Sequence, residues 1–221
     1  MYPAPAAQPQ PVVLRPLGGL ATAASLMLGI AAVVWAWTVH VWGWTTYGSV
    51  ARYSDGGFSG APGVTSIGIR PIKDSIIALG VAMLISAVAA GLFIGWLARA
   101  RANADQLGPH RFSRGWEIGA WFLPFANLVI PGRVVADVWR ASATPRQQYV
   151  STAPVTAWWL TATGTWLLYV VGVAMRIDTS VPTLHASAVL FTIQGLLTIV
   201  AAGLAIVVVQ RITRWQSLQQ R

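Results

Sequence analysis

The chain of 221 residues has no cysteine, a single lysine, six carboxylates and three histidines, and only 10% of its residues are charged. Without cysteine, neither a disulfide framework nor a thiolate metal site is available. His40, His110 and His185 are spread without metal-ligand spacing such as H-x-x-x-H, so no metal site is expected. A soluble domain needs roughly a quarter of its residues charged to cover its surface, and this chain falls far short of that. The six acids (Asp55, Asp74, Asp105, Glu117, Asp137, Asp178) all lie outside the cores of the long apolar runs. A proton-relay pump or an intramembrane aspartyl protease needs ionisable groups at depth, so both readings lose support. No residue is assigned a catalytic or cofactor-binding role, and no cofactor is expected.

What the chain has instead is apolar residues, 55% of the total, in blocks of about twenty, the length of a helix crossing a hydrocarbon core of about 30 Å. The expected fold is therefore an all-α integral membrane protein with four transmembrane helices, at about residues 20–42, 75–97, 155–175 and 186–209. Trp35, Trp37, Trp42 and Trp44 gather at the far end of the first span, as aromatics do at a bilayer interface. Pro71 suits the first turn of the second, and Arg99 and Arg101 close it. Residues 1–19, rich in Pro, Ala and Gln, read as a disordered tail. Residues 20–215 then form a single membrane domain with a glycine-rich outer loop at 43–74 and a polar elbow at 98–154.

Within the elbow, Trp116–Ile130 (WEIGAWFLPFANLVI) reaches only about 22 Å as a helix, too short to cross comfortably. It contains Pro124, which deprives the Ala120 carbonyl of its helical partner. Asn127 has an amide that can re-satisfy such a group or cap the next turn, and Pro131 favours a fresh helix start. The segment reads as embedded or re-entrant, followed by an amphipathic interfacial helix over 132–143. That helix places Val134, Val135, Val138 and Trp139 on one face and Arg133, Asp137 and Arg140 on the other, with Arg133 and Asp137 spaced to pair at i, i+4. A short basic helix with Trp on its apolar side suits an interface.

Charge orients the chain. With 116–130 not crossing, eleven arginines (15, 99, 101, 111, 114, 133, 140, 146, 211, 214 and 221) share one side, against Arg52, Arg70, Lys73 and Arg176 on the other. The positive-inside rule puts the larger group, and both termini, in the cytoplasm of a bacterial plasma membrane. The net charge of +9 is thus topological, and nucleic acid is not an expected partner. The expected partners are the bilayer itself, with anionic headgroups at Arg133, Arg140 and Arg146, and a membrane-protein partner or second copy. Small residues at four-residue spacing (Ala21, Ser25, Gly29; Ala87, Gly91, Gly95) permit close helix approach. Gln194, an amide within the fourth span, needs a partner on another helix.

The stretch RARANADQLG followed by GWEIGAWFLPFANLVIPGRVVADVWRAS resembles a bacterial membrane family, frequent in actinobacteria, known as domain of unknown function 4328. Trp116, Trp121, Pro124, Asn127, Pro131, Asp137 and Trp139 carry the resemblance and form the candidate structural or interaction motif. The resemblance implies a multi-pass membrane protein and no particular activity. Three functions follow as expectations. The leading one is a non-enzymatic interaction or scaffold protein using its cytoplasmic elbow. The alternatives are a small transporter or channel with the Pro124–Asn127 turn lining a path, and a lipid-modifying membrane enzyme.

Overall fold

The computed structural model describes residues 14–54, 64–113, 115–123, 125–143 and 150–220, and the side chains among these except 53–75. They form helices α1 (Gly18–Ser54), α2 (Val64–Ala104), α3 (Trp116–Gly119), α4 (Ile130–Ser142), α5 (Ala153–Met175) and α6 (Val181–Leu218), with a 3-10 turn at Ala126–Leu128 between α3 and α4. The chain is all-helical among the described residues, and α1, α2, α5 and α6 are each long and apolar enough to cross a membrane.

The helices overshoot the spans read from hydropathy. α1 has 37 residues, about 55 Å at 1.5 Å each, against a hydrocarbon core of about 30 Å. Much of the expected outer loop 43–74 is therefore helix, with residues 55–63 outside the described set. α2 begins at Val64, ahead of Pro71. The glycine content misled because glycine here permits contact as well as flexibility. A Cβ on Gly43 would lie 3.1 Å from the Ala188 Cα, and one on Gly195 would lie 3.1 Å from the Ala36 Cα. These glycines set the close crossing of α1 and α6.

α1 packs against α2 on one side and α6 on the other, and α5 packs against α6. α2 and α5 stand apart and meet through the rings of Phe93 and Trp158, with centroids 5.6 Å apart. The small-residue stripe of α1 is used inside the chain: Ala21 is buried and the Gln210 Nε2 donates to the Ser25 Oγ at 2.8 Å. The α2 stripe (Ala87, Gly91, Gly95) is exposed.

At the end of the bundle away from the elbow, His40 Nδ1 lies 3.0 Å from the Thr192 Oγ1, and His185 packs edge-on to Trp44 and Tyr47. Arg176 sits over the Trp42 ring at 3.9 Å, and burial holds its pKa below the usual arginine value. In the α5–α6 turn, Asp178 accepts the Ser180 backbone N–H at 2.9 Å and the hydroxyls of Ser180 and Thr183 at 2.9 and 2.8 Å.

Candidate functional site

The elbow is built on tryptophan. Trp121 stands edge-on to Phe93 of α2 and to Trp159 of α5, at 5.9 and 5.8 Å, and its Nε1 donates to the Glu117 carbonyl at 3.0 Å. The Trp159 Nε1 donates to the Leu128 carbonyl at 2.9 Å. Phe93 precedes the end of α2 by eleven residues, so the elbow reaches about 16 Å along the bundle. Pro131 stands in the first turn of α4, where its missing N–H is not needed. Gly132 follows because the Trp159 ring lies against it: a Cβ there would fall 2.6 Å from the indole. At the tip, Phe125 has φ of 63° and is exposed, a conformation that bulky residues rarely adopt.

α4 is amphipathic, but protein rather than lipid covers its apolar face. Val135, Val138 and Trp139 are fully buried in the core with Trp96, Leu97 and Ile212, and Trp139 stacks edge-on with Trp215 at 4.6 Å. Asp137 lies on the buried side, 6% exposed, rather than on the solvent face. Its partner is Arg140, at 2.7 Å and i, i+3, in place of the expected Arg133. The Arg111 N–H donates to its Oδ2 at 3.3 Å, and the Arg111 Nε lies 3.8 Å from its Oδ1. Arg111 precedes segment 116–130 and Asp137 follows it. Their contact means that the segment turns back and does not cross.

A second polar cluster joins four parts of the chain at the same end. Asn103, fully buried at the end of α2, donates from Nδ2 to the Arg15 carbonyl and to the Gln216 Oε1, both at 2.9 Å. Its Oδ1 accepts the Arg15 N–H at 2.8 Å. The Gln216 Nε2 donates to the Ala100 carbonyl at 3.0 Å and the Ser142 Oγ at 2.8 Å. Gln219 and Gln220 add donors to the Ser142 and Leu14 carbonyls. The buried amides of Asn103 and Gln216 each use both ends, as buried amides must. The first described residues, the elbow and the end of α6 therefore share one end of the bundle.

Beside the elbow, α4 and α5 enclose a cavity of about 270 Å³. Arg111, Arg133, Asp137 and Arg140 line one wall, with Leu128, Val129, Val155, Trp159 and Leu160 among the other lining residues. Two guanidinium groups, of Arg111 and Arg140, thus face the Asp137 carboxylate, Arg133 lines the same cavity, and all three arginines are exposed to the outside. Behind them, Asp105 holds Arg101 at 3.4 Å and the His110 Nδ1 at 3.5 Å.

Of the residues expected to matter, Trp121, Pro131, Asp137 and Trp139 converge on this elbow. Trp116 is half-buried beside Phe112. Asn127 is exposed, and among the described residues its side-chain amide has no hydrogen-bond partner; its backbone N–H donates to the Leu123 carbonyl at 2.9 Å. It neither caps the turn nor reaches Ala120. Pro124 and Arg146 lie outside the described residues. Sequence reading missed Asn103, Ser142 and Gln216, although an Asn and a Gln near the ends of apolar runs are a signal in themselves.

The profile of a family described as Domain of unknown function (DUF4328) matches residues 75–214, which include α4 and the hydrogen-bonded Asn103. No curated protein and no solved structure matches the chain.

Proposed function

The chain belongs to the DUF4328 family, which brings no activity with it, and we propose from geometry that it is a non-enzymatic membrane protein whose elbow is an interaction platform for anionic lipid headgroups. The observation that carries this reading is the wall of Arg111, Arg133 and Arg140 around the single buried Asp137. Asp137 fixes Arg111 and Arg140, while Arg133 has no ion pair among the described residues. Guanidinium groups bind phosphate oxygens in a forked geometry. The apolar residues in the same cavity suit the first carbons of an acyl chain. Each basic residue near an anionic surface contributes about 1 kcal/mol. By the positive-inside rule this end faces the cytoplasm of a bacterial plasma membrane, and reporter fusions after Gly18 and at Arg221 test that orientation by reporting the same side.

The function itself is tested with full-length protein in nanodiscs of mixed neutral and anionic phospholipid. Lipid retained after detergent extraction is then weighed by mass spectrometry. The parent should retain anionic lipid in excess of its share, and added salt should reduce the excess. Arg133→Gln, which leaves the Asp137–Arg140 pair in place, should remove a large part of it without lowering the melting temperature. Retention in proportion to the bulk mixture would end the headgroup reading.

A further inference from the structure

Where α2 and α5 stand apart they leave a groove of about 390 Å³, at a depth where hydrocarbon surrounds the bundle. Alanines such as Ala32 and Ala202 form part of its lining, and the rings of Phe93, Trp121 and Trp158 stand together at the elbow end. Toward the opposite end its wall contains Gln194, 3% exposed. The expected interhelix bond of this amide is not formed. Its Nε2 donates to the Thr198 Oγ1 at 3.1 Å, on the same helix, while the Thr198 hydroxyl donates to the Gln194 carbonyl at 2.9 Å. The Oε1 is buried and has no partner among the described residues. Gln194 lies 13 residues after Val181 and 17 before Arg211, about 20 and 25 Å along the axis. At that depth bulk water does not supply the missing donor, and a buried acceptor left unpaired is unfavourable.

We propose that this groove binds one apolar chain that carries a hydroxyl or amide N–H, the donor resting on the Gln194 Oε1 and the tail running toward Trp121. The dimensions select a chain over a helix. The rings of Phe93 of α2 and Trp158 of α5, with centroids 5.6 Å apart, close the groove at its elbow end, so an extended chain reaches Trp121 where a helix about 10 Å across does not. The polarity selects the ligand's terminus, because the Gln194 Nε2 already has Thr198 and the Oε1 is the atom of the amide left without a partner among the described residues. The acyl chain of an ordinary phospholipid has no donor to offer. An empty pocket of this size is in the range that holds small ligands.

The test uses full-length protein in nanodiscs and two probes, a long-chain primary alcohol with a diazirine in its tail and the methyl ether of the same molecule. Irradiation followed by peptide mapping should place the alcohol on the facing sides of α2, α5 and α6. The ether should label those peptides about five- to tenfold less, the loss expected for one unmade hydrogen bond at a buried acceptor. Gln194→Leu should bring alcohol and ether labelling together. Ala202→Phe, which fills the groove without touching Gln194, should reduce alcohol labelling there while lipid-facing peptides keep theirs. If that variant fails to fold by thermal melting, competition by unlabelled alcohol against unlabelled ether on the parent protein replaces it. Equal labelling by both probes on the parent overturns the proposal, because the groove then holds only bulk acyl chains. A preference that survives Gln194→Leu overturns it equally.

Discussion

Asn103 grips the backbone of Arg15 from both sides, accepting its N–H at 2.8 Å and donating to its carbonyl at 2.9 Å. The same amide donates to Gln216, so one fully buried side chain joins the start of the bundle to the end of it. Replacing Asn103 by Leu strands the Arg15 N–H and the Gln216 Oε1. The expected loss is about 2–4 kcal/mol, since each orphaned group costs about 1–3 kcal/mol. Asn103→Asp keeps the acceptor and should fall between parent and Leu in a detergent melting series. A Leu variant that melts with the parent would mean that the cluster adds nothing to stability.

Gly132 should tolerate no side chain. A Cβ there would lie 2.6 Å from the Trp159 ring, and the ring is held by its bond to Leu128. Gly132→Ala should cost about 1–3 kcal/mol by overpacking. Paired with Trp159→Leu, the combined loss should be smaller than the sum, which a double-mutant cycle measures.

Asn127 should be indifferent to replacement. The sequence suggests a cap for the turn after Pro124, which makes Asn127→Leu destabilising. The exposed amide without a partner reverses that expectation: the change should stay within about 0.5 kcal/mol of the parent. A clear drop in melting temperature would restore the capping role.

The α5–α6 turn should respond to acid. The Ser180 N–H, then the Thr183 and Ser180 hydroxyls, hold the Asp178 carboxyl below its usual pKa. A carboxyl with a lowered folded pKa contributes stability that is fully present above its unfolded value, about 3.9, and is lost as pH falls through the folded value. The parent should therefore lose melting temperature on acidification below about pH 4, and Asp178→Asn should lose less. Equal acid sensitivity in the two proteins would show that these bonds do not distinguish the ionised form.

The sequence made some of this legible for a physical reason. Four crossing helices are readable because hydrocarbon demands long unbroken apolar runs with every backbone group paired. The hairpin of the elbow is readable from its shortness and from the charge balance it implies. Helix ends were not, because nothing in hydropathy stops α1 once it leaves the apolar layer, and Gly43 is small to admit Ala188. Helical periodicity puts Asp137 on the solvent face because it cannot foresee that Arg111, 26 residues earlier, reaches it. The amide cluster was hidden for a similar reason: Asn103 and Gln216 are 113 positions apart. An amide at the depth of Gln194 needs partners for both ends, and among the described residues its Oε1 has none.

The order in which the chain emerges from the ribosome gives the amide cluster a further meaning. Asn103 is made 113 residues before Gln216, an interval of roughly 6–20 s at ordinary synthesis rates. Through that interval Asn103 can hold Arg15, already made, but not Gln216. Gln216 is the last part of the clasp to be made, so a chain cut short before position 216 lacks the bonds to Ala100, Asn103 and Ser142.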